Sequence, residues 1–238
     1  MTRKKLFLYG LVVAALMMIL LFWGSQVSTE ITYSDRSSLK NAGALFKPDE
    51  SVGFDSEIRT IRAIQKAAFK VAPRTWPIAV GASREPEDLV ELGYGNCNDR
   101  SRFLDKALRL AGFETRYASL YETAKTGSAF LSLITRDTEI VRSHALVEVK
   151  TSRGWMFVDS VSPWLALEAR NNPVGLERWQ NEEDKAGFSW LRQPGGEIYF
   201  LMKDDFTYVY GLYSRHGQFY PPYVPVPDID WFGMLENF

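Results

Sequence analysis

An uncharged run of 18 residues, Leu6 to Trp23, follows Arg3, Lys4 and Lys5 near the start of the chain. At 1.5 Å per residue it makes a helix of about 27 Å, close to the hydrocarbon thickness of a bilayer. The basic flank predicts that this end stays in the cytoplasm, with the remainder in a periplasm or outside the cell. A cleaved signal peptide would need small residues at −3 and −1 of the cut, and Gly24-Ser25-Gln26-Val27-Ser28 gives no clean small-x-small pair. The run is also long for a signal h-region. The sequence therefore predicts an uncleaved single-pass anchor over residues 1–24, with the membrane as its partner.

Without Arg3, Lys4 and Lys5, the 28 Lys+Arg of the chain become 25 against 29 Asp+Glu, a net charge of −4. That balance offers no basic stripe to nucleic acid and no basic patch to anionic lipid. One Cys and two His narrow the chemistry further. A single Cys excludes an internal disulfide, a Cys-rich zinc site and a CxxC redox motif, and two His leave little room for a histidine-built metal centre. Any thiol chemistry must use Cys97, and any imidazole must be His144 or His216. His216, in Tyr213-Ser214-Arg215-His216-Gly217, reads as a turn histidine.

Residues 25–55 are polar and aperiodic, which reads as a stalk between membrane and domain. From Ser56 the pattern turns helical: Ile58, Ile61, Ile64, Ala68 and Val71 recur at three- and four-residue steps until Pro73. Arg84 to Leu89 reads as a loop entering a short helical turn. A second helix opens at Cys97, with Phe103, Leu104, Ala107, Leu108 and Ala111 on one face and Gly112 as its stop. Strands are expected at Arg116–Tyr121, His144–Val149 and Trp155–Asp159, with a loop within 122–141. Residues 56–238 form the domain.

The last two strands read as a hairpin, and its register decides what His144 faces. A two-residue loop at Thr151-Ser152 makes paired residue numbers sum to 303, setting His144 opposite Asp159. A four-residue loop gives 305 and sets Asp159 diagonal to His144, opposite Leu146. Both put His144 and Asp159 on one face, within reach of an imidazole–carboxylate contact. A three-residue loop would separate them. Cys97 follows Gly93-Tyr94-Gly95-Asn96 and opens a helix, where free N–H groups and the dipole favour a thiolate. A nearby imidazole would activate that thiol, and a carboxylate would orient the imidazole. Asp99 reads as support for the first helical turn.

Gly95-Asn96-Cys97-Asn98-Asp99, then Leu108-Arg109-Leu110-Ala111-Gly112 and Arg116, then His144-Ala145, Trp155 and Asp159 resemble the transglutaminase-like superfamily over about residues 56–165. The resemblance implies an α+β, papain-like core in which a nucleophile helix packs on an antiparallel sheet. It implies Cys97 as nucleophile, His144 as general base and acid, and Asp159 as the orienting group, with no metal or organic cofactor. Related enzymes stabilise the oxyanion with an upstream side chain, for which Trp76 and Tyr94 are the candidates here. Leu146 stands where the family often has an aromatic residue, and Ser160 where it often has Pro, which marks a divergent member.

Residues 199–238 hold 12 of the 33 aromatic residues and the Pro-rich stretch Pro221–Pro227. Tyr199–Met202 and Phe206–Tyr210 read as strands that extend the sheet. The tail is expected to pack over the core, the sharper alternative being the wall of a substrate groove. The function expected is a membrane-anchored thiol enzyme that cleaves or transfers an acyl group on a peptide, protein or cell-envelope substrate. Its alternative is a non-catalytic assembly protein of the envelope or surface polysaccharide machinery.

Overall fold

The computed structural model describes residues 3–49, 53–79, 81–122, 142–181, 190, 191, 198, 206–215 and 228–238. His216, the Tyr199–Met202 strand, the Pro-rich stretch and most of the 122–141 loop lie outside the described residues. Helix α1 (Arg3–Ser25) carries an 18-residue window with a mean hydropathy of 2.6, none of it buried by protein. It is long and apolar enough to cross a membrane.

The domain opens with α3 (Phe54–Val71), which follows Gly53 at φ +69° and stops two residues before Pro73. Its Ile61, Ile64, Ala67 and Ala68 face inward, as their spacing requires. Helix α4 (Pro86–Leu92) carries Pro at its first position and closes on left-handed Gly93. Helix α5 (Cys97–Leu110) packs against α3 and α4 and lies on the sheet.

That sheet joins β1 (Thr115–Glu122), β2 (Ser143–Thr151), β3 (Gly154–Val158) and β4 (Phe206–Tyr210) in the order β3-β2-β1-β4, every pair antiparallel. Pairing Val147↔Val158, Lys150↔Trp155 and Thr151↔Gly154 gives the register in which numbers sum to 305. Because Thr151 and Gly154 also pair, only Ser152 and Arg153 remain in the turn. Phe157 of β3 meets Trp164 at 5.5 Å, and Trp164 and Trp179 both pack on Trp190, at 4.8 and 4.9 Å. These rings, with α6 (Leu176–Asn181), close over β3. The result is the α+β architecture expected of the sequence, and β4 extends the sheet at the free edge of β1.

Past β4 the chain turns at Gly211 into β5 (Leu212–Tyr213), which pairs with β6 (Asp228–Ile229) before the short helix α7 (Trp231–Met234). Gly211 has φ +80°, and a Cβ there would lie 2.6 Å from the Asp230 carbonyl oxygen and the Met234 nitrogen. Neither atom can yield, since both are backbone. Gly211→Ala is expected to cost about 2–3 kcal/mol and lower the melting temperature of the full chain in detergent.

The structure departs from the sequence reading at residues 25–55, which do not form a free stalk. Val27, Leu39 and Ala44 are fully buried, and α2 (Tyr33–Asn41) packs on α4 and α5. The polar residues of this segment are matched to cations on α5. Lys106 reaches Asp35 and Glu85, each at 2.7 Å, and Arg102 grips Glu85 with two bonds of 2.9 and 3.0 Å. Arg102 also donates to the Ser28 carbonyl, and Arg109 to that of Thr29. Burial raises the Asp35 carboxyl, but bonds from Lys106 and Thr32 outweigh it and hold it below the ordinary range. Its contribution is therefore present above pH about 4 and lost as the pH falls below that. At neutral pH Asp35→Ala should destabilise the fold by about 3 kcal/mol in a denaturant titration, because it strips a partner from a buried ammonium.

Candidate active site

The start of α5 is over-determined. The Asn96 side chain accepts from the N–H groups of Asn98 (3.0 Å) and Asp99 (3.3 Å), while Asp99 accepts from Asn96 N–H (2.8 Å), which closes a capping box. Asp99 also accepts from Ile78 N–H (3.2 Å) and from Arg84 Nε (2.6 Å). Arg84 is buried in a left-handed conformation, φ +54°, and reaches on to Asn96 (3.2 Å) and the Ser214 carbonyl. Ile78 and Arg84 are thereby fastened to the helix end. Gly95 is needed here for space: a Cβ would stand 2.3 Å from Leu89 Cδ1 and 2.9 Å from Asp99 Cβ. Gly95→Ala should cost about 1–3 kcal/mol of stability and displace the capping box, with a matching loss in Cys97 reactivity toward iodoacetamide.

Cys97 is the first residue inside that helix and is partly buried, against Val27, Tyr117, Ala145 and Tyr213. The sheet brings His144 to it, and the turn after β3 brings Asp159. His144 Nε2 lies 2.9 Å from Asp159 Oδ1, with both side chains sealed from solvent. The Cys97 thiol approaches the ring from the side away from Asp159 and interacts with it electrostatically. With Nε2 committed to the carboxylate, Nδ1 is the ring nitrogen left to exchange a proton with the thiol.

Asp159 accepts from Val161 N–H and Ser162 Oγ, each at 2.9 Å. Burial acts to raise its pKa, but His144 and these donors prevail and hold it below the ordinary range. For His144, burial acts downward, and the Asp159 and Cys97 partners push it up to about 9. For Cys97, burial acts upward, and the bond and charge of His144, with the N–H groups of Ala145 and Asn98, bring it below the usual thiol range. Both shifts favour the thiolate–imidazolium form of the pair.

The stability signs differ for the two partners. His144 contributes stability that is complete below pH about 6.5 and lost as the pH rises through about 9. The Cys97 contribution runs the other way: present above the free thiol's range and lost as the pH falls. Between pH about 6.5 and 9 the two slopes oppose one another. In Cys97→Ser the opposing slope is gone, so above pH about 6.5 its melting temperature should fall with pH more steeply than that of the parent chain, up to the variant's own, lower His144 midpoint.

Residues 51–160, which include Cys97, His144 and Asp159, match the family model of the transglutaminase-like superfamily. The chain carries a transglutaminase-like domain. A comparison with curated proteins returned no match. Within this transglutaminase-like domain, Trp76 is 61 % exposed and stands edge-on to Tyr94, ring centroids 6.3 Å apart. Gly95 N–H donates to the Arg74 carbonyl (3.1 Å), so the segment leading to Trp76 runs beside the approach to Cys97. Ser160, in the position where Pro is common, donates from Oγ to the Ala145 carbonyl (2.6 Å) and ties the Asp159 turn to β2.

Three polar residues that sequence reasoning passed over hold this arrangement. Gln65 on α3 donates to the carbonyls of Asp159 (2.8 Å) and Trp164 (2.9 Å). Arg100, one turn beyond Cys97, donates to the carbonyls of Ala72 (2.6 Å) and Ser160 (3.4 Å), and its charge is felt by Cys97 and Asp159. Tyr117 donates from its hydroxyl to Asn98 Oδ1 (3.1 Å) and stacks on Tyr213 at 4.0 Å. Gln65 lies beside Ile64, Ile61 and Ala68 on the inward face of α3, and that position is its one signal in the sequence.

Proposed function

We propose that the chain is a membrane-anchored thiol acyl enzyme. The linked run from Cys97 through His144 to Asp159, set on a helix start, carries this reading. Cys97 Sγ attacks an amide carbonyl carbon, and the electron pair of the C=O moves to oxygen. The resulting oxyanion is held by the Cys97 N–H, with Trp76 and Tyr94 as further candidate groups at the rim. The His144 imidazolium gives its Nδ1 proton to the departing amine as the C–N bond breaks. A thioester remains. Water or a second amine then gives a proton to His144, attacks the thioester carbonyl and expels the Cys97 thiolate, which restores the ion pair. Asp159 fixes the ring and stabilises its positive charge throughout.

The basic flank of α1 supports a cytoplasmic N-terminus and a domain on the outer side of the membrane. The test compares the full chain with Cys97→Ala on a peptide, on a glutamine peptide with a primary amine, and on cell-wall fragments. A covalent acyl adduct seen by intact mass, absent from Cys97→Ala, is the expected result. No adduct and no turnover with any of the three would favour the non-catalytic assembly role.

A further inference from the structure

The short helix α7 and the turn Leu235–Asn237 that follows it have two apolar faces, and only one is used. Inward, Met234 packs on the cluster of Tyr121, Val209 and Leu212. Asn237 is bound to Tyr210 twice: it accepts from the backbone N–H (2.9 Å) and donates to the carbonyl (3.1 Å). Gly233 sits so close to Asp230 that a Cβ would stand 2.7 Å from its carboxylate. The segment is thus rigidly fixed to the domain. Outward, at three-residue spacing, stand Phe232 and Leu235, 76 % and 66 % exposed, where a water-facing helix would carry polar residues.

The place of this face identifies its partner. Trp231 stacks on Phe22 of α1, centroids 5.6 Å apart, and donates from Nε1 to Ser25 Oγ (3.1 Å). Val27 N–H donates to the Ile229 carbonyl (2.9 Å). The contact of Phe22 with Trp231 thus sets the segment that carries exposed Phe232 and Leu235 beside the end of the apolar helix, next to exposed Trp23. Aromatic side chains gather at that level of a membrane protein, where rings meet headgroups.

We infer that residues 231–235 lie in the interfacial layer of the bilayer as a second membrane contact, beside the span and continuous with it. The contact needs no basic residues, since it is made by apolar area. It rests on the reading of α1 as a span. The consequence concerns the site: Val27 lies two residues past the helix end, at most about 7 Å of chain, and packs in the cluster that holds Cys97. Two fixed contacts would hold Cys97 close above the lipid at one orientation, so the substrate is an acyl group presented at the membrane surface.

The experiment uses the full chain in phosphatidylcholine nanodiscs. Cys97→Ser removes the one native thiol, and single cysteines are then placed by Val13→Cys, Phe232→Cys, Leu235→Cys and, in the hairpin turn, Ser152→Cys. Each carries an environment-sensitive fluorophore, and brominated lipid is the quencher. Strong quenching at 13, 232 and 235 with none at 152 is the expected result. Quenching at 13 but not at 232 or 235 overturns the second contact and leaves the span intact. No quenching at 13 overturns the span and this inference with it. Native-like circular dichroism is required of each labelled chain, and 232 and 235 serve as independent reports of one face.

Discussion

At pH 6, His144→Ala is expected to slow alkylation of Cys97 by iodoacetamide about 10-fold. The figure weighs two opposing effects. Without its imidazole the thiol returns toward the ordinary range, and the thiolate fraction at pH 6 falls to well under one in a hundred. A less acidic thiol is also a better nucleophile once ionised, which offsets part of that loss. The difference should close above pH about 9, where both chains are ionised. The variant's rate should climb with pH through the free-thiol range, whereas the parent's should climb at lower pH. Burial alone would raise a thiol and give the opposite behaviour, so the profile separates an activated Cys97 from a packed one.

The second large effect is expected from Asp159→Asn, in which the shape is kept and the charge removed. The carboxylate is fully buried and supports His144 by both its hydrogen bond and its charge. Remove the charge and burial, which acts downward on the imidazolium, is opposed by Cys97 alone. The His144 pKa should drop from about 9 toward or below its ordinary 6.5, and the thiolate loses its counter-ion at neutral pH. An amide can also hold the ring in the wrong tautomer, as Nδ2–H facing Nε2 would require the proton on Nδ1. Acyl transfer should fall by about 10²–10⁴, measured as the rate of adduct formation on whichever amide substrate the parent chain accepts. In the other orientation of the amide its oxygen stays at the Oδ1 position and keeps the Val161 N–H, while the Ser162 hydroxyl turns to accept from Nδ2, so the loss should come with only a modest change in melting temperature.

The parts of the fold that were legible in the sequence are those whose signal is local. Helices α3 and α5 carry apolar stripes at helical spacing, with Pro73 and Gly112 as stops. The β2–β3 hairpin constrained two distant functional groups at once, since strand parity alone puts His144 and Asp159 on one face in either even register. The turn itself is tighter than the loop first matched to that register, because Thr151 and Gly154 still pair. What stayed hidden depends on partners far along the chain. Arg102 and Lys106 lie off the apolar stripe of α5, where charged side chains ordinarily face water, yet they are buried because Asp35, Glu85 and Ser28 come from other segments to meet them. The same pairing turned an apparent stalk into part of the domain. Gln65 and Arg100 were hidden for a related reason: their bonds go to backbone carbonyls of turns, and no residue type signals that from the sequence.

The protonation state of His144 tests the central claim most directly. Only two histidines are present, so ¹⁵N-histidine labelling of the full chain in detergent, with His216→Gln to assign the signals, isolates one ring. The account predicts that both His144 nitrogens remain protonated at pH 7 and that the ring titrates near pH 9, with that midpoint moving down in Asp159→Asn and in Cys97→Ser. A His144 ring already neutral at pH 7, with a midpoint unmoved by loss of the Cys97 thiol, would contradict it.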